Sequence, residues 1–127
     1  MDKKTILAID DSAVGLRALK TILEESYDVR IAKTTALAAS VLKSQHIDLI
    51  LLDIEMPGDM SGVDYLKVLK ADAATKDIPV IIVTGHTALK IIMDSTIAGA
   101  IDYVIKPLAA DMLCEKIAAA LDQPKKT

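Results

Sequence analysis

Short apolar runs alternate along this chain with segments whose apolar residues recur at helical spacing. Runs near residues 5–9, 28–32, 48–52, 79–83 and 101–105 read as strands. Between them, Leu16, Leu19, Ile22 and Leu23 mark one face of a first helix that Asp11 or Ser12 can cap. A second helix begins at Thr34 or Thr35 with Leu37, Val41 and Leu42 inward, and a short third follows Gly62 with Val63, Leu66 and Leu69. Thr87 can cap a fourth that stops at Gly99, and Leu113, Ile117 and Leu121 mark a fifth. Five strands alternating with five helices predict an α/β fold, a doubly wound parallel sheet with helices on both faces. Residues 1–122 form one domain, and 123–127 read as a flexible tail or the stub of a linker.

The polar residues that end four of these runs carry the chemistry. Residues 6–9 run into Asp10-Asp11, 49–52 into Asp53, 80–83 into Thr84, and 103–105 into Lys106-Pro107. Parallel strands bring their carboxyl ends to one edge of the sheet, which is where open α/β sheets hold their ligands. That edge gathers three carboxylates, a hydroxyl and an ammonium.

Composition narrows the function classes. The chain has 127 residues, enough for a core without disulfides, and 52% are apolar, yet it contains no Phe or Trp and three Tyr. The core is therefore aliphatic. The single Cys114 cannot form an internal disulfide and reads as an inert core thiol. The first residues lack the apolar stretch of a signal peptide, and no run reaches the ~20 residues of a membrane helix, so a cytoplasmic location is expected. A net charge of -3 argues against a direct nucleic-acid partner, since phosphate backbones are held by clustered Lys and Arg.

Three carboxylates held close together repel one another; either one keeps its proton or a divalent cation offsets the charge. Mg²⁺ suits such a site, because it takes oxygen ligands and keeps several waters. With Lys106 and Thr84 beside it, the arrangement describes a pocket for a phosphoryl group. One of its carboxylates is a candidate nucleophile, because phosphoryl transfer mainly needs positioning and charge neutralisation. Read separately, the same residues have plainer roles: Asp10 or Asp11 as a helix cap, Asp53 at an ordinary strand-end turn, Tyr103 as a packing residue, His46 as a solvated residue ending the second helix.

Taken in order, Asp10-Asp11, Asp53-Ile54-Glu55-Met56-Pro57, Thr84-Gly85 and the run from Gly99 to Lys106-Pro107 resemble the motifs of receiver domains of two-component response regulators, of the single-domain chemotaxis kind. The resemblance covers about residues 5–121. It implies a flavodoxin-like sheet of order 2-1-3-4-5 and a signalling switch, not an enzyme acting on a separate substrate. Asp53 would accept a phosphoryl group from a histidine kinase or phosphotransfer protein. Mg²⁺ would be held by Asp11 directly, Asp10 through water, Asp53, and the backbone carbonyl of Glu55. Thr84, Gly85 and Lys106 would contact the phosphoryl oxygens, with Lys106-Pro107 expected to be cis. Thr84 and Tyr103 would be the switch pair, Tyr103 turning inward as Thr84 moves, so that the surface of the fourth helix, fifth strand and fifth helix changes for a protein target downstream or a second copy of the chain. Glu55 and His86 would tune the lifetime of the phosphorylated state; the alternative for His86 is that it merely starts a loop.

Two departures from the family pattern stand out. The loop of residues 56–62 is one residue longer than the common form, and Gly85 stands where Ala or Ser is usual. No output segment follows the fifth helix, which reads as a regulator acting through a partner or as a piece of a longer one. Leu89, Ile91, Ile92 and Met93 are more apolar residues than one buried stripe of the fourth helix needs, so part of that helix is expected to dock a partner. A hydrolase using an aspartyl phosphate would need an acid/base Asp where Glu55 stands, and a flavodoxin-like electron carrier would need a phosphate-cradling loop where Asp10-Asp11 stand.

Overall fold

β-Branched and leucine-rich runs buried on both faces form the strands of a parallel sheet. In the computed structural model, which describes residues 3–54, 61–85, 94–96, 98–106 and 108–122, these are β1 (Thr5–Ile9), β2 (Asp28–Ala32), β3 (Leu49–Asp53), β4 (Val80–Thr84) and β5 (Asp102–Ile105). Their order is β2-β1-β3-β4-β5, all parallel. The fold class and strand order are as the sequence predicts. β3 and β4 begin one residue later than expected, so Asp53 and Thr84 are the last residues of their strands.

Three of the helices begin where short polar side chains supply caps. Ser12 Oγ accepts from the Gly15 N–H at 3.1 Å and starts α1 (Ala13–Leu23); Thr34 Oγ1 accepts from the Leu37 N–H at 3.1 Å and starts α2 (Thr35–Ser44). Ser61 Oγ does the same for the Asp64 N–H at 3.1 Å at the head of α3 (Gly62–Ala71). Each such cap contributes ~1 kcal/mol. Of the predicted fourth helix, residues 94–96 are helical and the part from 86 to 93 lies outside the described residues. Its end is a Schellman motif: Ala100 N–H donates to the Ser95 carbonyl at 2.9 Å, Gly99 N–H to Thr96 at 3.1 Å, and Gly99 has φ +115°. Gly99 therefore ends that helix, as its sequence position suggests. A C-terminal helix follows β5 (Ala110–Leu121).

Alternation along each strand divides the core in two. Ile6, Ala8, Leu49, Leu51, Ile81, Val83 and Val104 face α1 and the C-terminal helix, where Leu16, Leu19, Leu23, Leu113 and Ile117 cover them. Leu7, Ile9, Ile50, Leu52 and Ile82 face the other way, toward Ala38, Leu66 and Leu69. The two faces of one sheet thus hold the helices on opposite sides and bring the carboxyl ends of the strands together as a common edge. One helix face differs from expectation. Leu37 is 53% exposed, and the inward stripe of α2 is Ala38, Val41 and Leu42. α2 packs over β2, an edge strand, so its outer flank has no sheet beneath it.

Candidate functional site

Strand register assembles the site. Ile9 pairs with Leu52, so Asp10 and Asp53 come side by side at the ends of β1 and β3; Asp53 pairs with Val83 and Thr84 with Ile105, which puts Thr84 and Lys106 on the same edge. Backbone bonds continue past the ladder and hold these ends together: Asp10 N–H donates to Ala32 at 3.1 Å, Ile54 N–H to Val83 at 3.0 Å, and Lys106 N–H to Thr84 at 2.8 Å. Asp10, Asp53 and Thr84 are buried, and Asp11 is exposed at the rim. The order of the sheet reverses beside β1, where such folds open a crevice.

Asp10, Asp11 and Asp53 each offer a carboxylate oxygen within 4.8 Å of the others. Lys106 Nζ lies 2.9 Å from Asp53 Oδ2 and 3.7 Å from Asp10 Oδ2. Among the described residues, one ammonium lies against these three carboxylates, a set short of positive charge. The Asp10 carboxyl registers this: burial, first, and the adjacent Asp53 push its pKa up to about 6, against the opposing pull of the Ser12 N–H, 2.9 Å from Asp10 Oδ1, and of Lys106. A clustered, oxygen-only, electron-rich donor set of this kind fits Mg²⁺.

Two glycines make the arrangement possible, and sequence reasoning gave neither of them a role at the site. A Cβ on Gly15 would come within 2.6 Å of Asp10 Oδ2, and one on Gly62 within 2.5 Å of the Ile54 Cα and 2.9 Å of the Asp53 carbonyl. Gly62 lets the head of α3 rest on the end of β3. Gly62 marked a helix start in the sequence; Gly15 gave no signal, because a glycine inside a helix has no characteristic neighbours. Of the other sequence candidates, Gly85 is exposed at the end of β4 and Tyr103 is half-buried against the core face that includes Leu66 and Ala100. Glu55, His86, Pro107, the loop residues 56–60, the helix residues Leu89, Ile91, Ile92 and Met93, and the tail 123–127 lie outside the described residues. Cys114 is half-buried against the core, and the His46 side chain is 74% exposed at the end of α2. A cavity of about 220 Å³ lined by Leu42, His46, Asp48, Asp77 and Pro79 lies at the opposite end of the sheet, away from the carboxylates.

Comparison with known proteins agrees with this geometry. Residues 6–118 match the model of the response regulator receiver domain. The chain is 36% identical over 116 residues to the chemotaxis protein CheY of Pseudomonas aeruginosa, covering 88% of this chain and 91% of that protein. It is 37% identical over 116 residues to the alginate biosynthesis transcriptional regulatory protein AlgB of the same organism, covering 91% of this chain and 25% of AlgB. A CheY-like receiver domain from Methanospirillum hungatei superposes with a TM-score of 0.84 at 37% identity, covering 95% of both chains. The chain therefore spans about a quarter of the length of several relatives, AlgB and a probable cyclic di-GMP phosphodiesterase of Vibrio cholerae among them, and nearly all of others.

Proposed function

The chain belongs to the response regulator receiver family, and from that membership and the geometry of its sheet edge we propose that it is a phosphorylatable switch with Asp53 as the acceptor. The ion pair between Lys106 and Asp53 at 2.9 Å, set within the cluster of three carboxylates, is the observation that carries this reading. A carboxylate oxygen of Asp53 attacks phosphorus in line with the P–N bond of a phosphohistidine on a histidine kinase or phosphotransfer protein. The new O–P bond forms as the P–N bond breaks, and the electron pair leaves with the imidazole. Lys106, already against Asp53, holds negative charge that develops on the equatorial oxygens, and Thr84 and Gly85 supply contacts from the end of β4.

Asp11, Asp53 and the Glu55 carbonyl would hold Mg²⁺, with Asp10 at one remove, and the ion would supply charge neutralisation that one lysine cannot. Glu55, two residues after Asp53, and His86, two residues after Thr84, would set how fast water removes the phosphoryl group. The added dianion then biases Thr84 and Tyr103, and with them the surface around β5, toward a form read by a protein target in the cytoplasm or by a second copy of the chain. On this reading the chain turns over no substrate beyond its own phosphoryl group.

Intact-mass measurement after incubation with a small acyl-phosphate donor tests the proposal. The expected result is a gain of one phosphoryl group that needs Mg²⁺ and disappears in Asp53→Ala. A gain that persists in Asp53→Ala, or turnover of a phosphate monoester, overturns it.

A further inference from the structure

β5 is an edge strand, so the backbone groups it turns outward have no neighbouring strand. At Tyr103 both are taken by side chains. The Tyr103 N–H donates to Asp102 Oδ1 at 2.8 Å, and the Tyr103 carbonyl accepts from Lys116 Nζ. The same ammonium donates to Asp102 Oδ1 at 3.0 Å and lies 4.5 Å from the centroid of the Tyr103 ring. Lys116 belongs to the C-terminal helix, which packs on one face of the sheet through Leu113 and Ile117, whereas the Tyr103 ring packs on the other face. The lysine stem therefore crosses the open edge of the sheet to reach the ring. Its side chain is 24% exposed, so the attraction between ammonium and ring is only partly screened by water.

We propose that Lys116 is a positioning residue that latches Tyr103: held by Asp102 and the Tyr103 carbonyl, its ammonium fixes the ring where it is seen here and opposes its movement when Asp53 is phosphorylated. This rests on the reading of Tyr103 as part of the switch. The ring leaves its place only by giving up the ammonium, whereas the bonds from Lys116 to the Tyr103 carbonyl and to Asp102 remain.

A double-mutant cycle on the full chain tests the latch, read as the rate at which acyl phosphate loads Asp53, followed by intact mass. Lys116→Met keeps the stem and removes the charge, and is expected to load about fivefold faster, the ratio that a partly exposed cation–π contact corresponds to. Lys116→Arg restores the parental rate. In a Tyr103→Ala background, Lys116→Met changes nothing further. Equal rates for the parental chain and Lys116→Met, or the same gain with and without Tyr103, overturn the latch and leave the receiver reading intact. If the parental chain does not load, the reading of Asp53 as an acceptor from small acyl phosphates fails by itself, and the family membership stands. Fluorotyrosine NMR of the unphosphorylated protein then decides the latch: with three Tyr in the chain, a Tyr103 resonance displaced in Lys116→Met and restored in Lys116→Arg supports it, and an undisplaced one overturns it.

Discussion

At the scale of single residues, the site is set as much by what is missing from two positions as by the charged groups themselves. Gly15 sits on the first turn of α1, facing Asp10 Oδ2 at a distance a Cβ cannot share. Gly15→Ala is a favourable change for the helix, by about 0.5–1 kcal/mol, because alanine loses less backbone freedom than glycine. The strain falls on the short Asp10 side chain, which can turn aside while the helix stays in place. We expect urea unfolding to show unchanged or slightly raised stability, and a calorimetric Mg²⁺ titration to show affinity lower by about tenfold, as for loss of a group that orients a metal ligand. Lower stability with unaltered Mg²⁺ affinity would mean that the helix, not the carboxylate, yields. Asp10, Asp11, Asp53, Thr84 and Lys106 were legible as site candidates because each ends an apolar run. Gly15, Asp102 and Lys116 were not, since their roles depend on what lies across a crevice or around a sheet edge.

Elements were legible where burial on both faces leaves an unbroken apolar run, as in β3 and β4, and where a Ser or Thr marks a helix start, as at Ser12 and Thr34. They were less so at the margins of the sheet, where Leu37 has the spacing of a core residue and no sheet to cover it. Connections between elements were the least legible. Asp48, between α2 and β3, accepts the Thr5 N–H on Oδ2 at 2.8 Å and contacts His46 Nε2 through Oδ1 at 2.8 Å, tying the start of β1 to the approach of β3. Burial alone would raise its pKa, but the Thr5 N–H, His46 and Lys4 together hold it below the ordinary value of 3.8. A carboxyl whose folded pKa is depressed contributes stability that is present above its unfolded pKa and lost as pH falls through the folded one. The stability difference between the parental chain and Asp48→Asn should therefore be present at about pH 5 and above. Below the unfolded value it should shrink, as measured by denaturant unfolding across that range. A difference that does not change with pH would show that the tie acts through shape alone.

Among the described residues, local preference and global fold agree over most of the molecule: apolar periods match the elements, caps match the starts of α1, α2 and α3, and the two core faces match the strand alternation. The sheet edge is the exception. Burying Asp10 and Asp53 beside the exposed Asp11, with Lys106 as the cation seen against them, opposes stability, and such a conflict persists where function requires it. Asp10→Asn separates the two demands. The amide keeps an oxygen to accept from the Ser12 N–H and gains an N–H to offer Asp53, while one buried negative charge is removed. With chelator present at neutral pH, we expect the variant to be more stable than the parental chain by about 1 kcal/mol, which in a domain of this size raises Tm by roughly 3–6 °C. Saturating Mg²⁺ should then raise the Tm of the parental chain, because an ion that binds only the folded state stabilises it, and should raise that of Asp10→Asn much less. If the variant is no more stable without metal, the three carboxylates do not repel at this edge; if both proteins respond equally to Mg²⁺, the ion is held elsewhere. The expected pairing, stability gained and metal response lost, is what a fold shows when its charge cluster exists for a ligand and not for the fold itself.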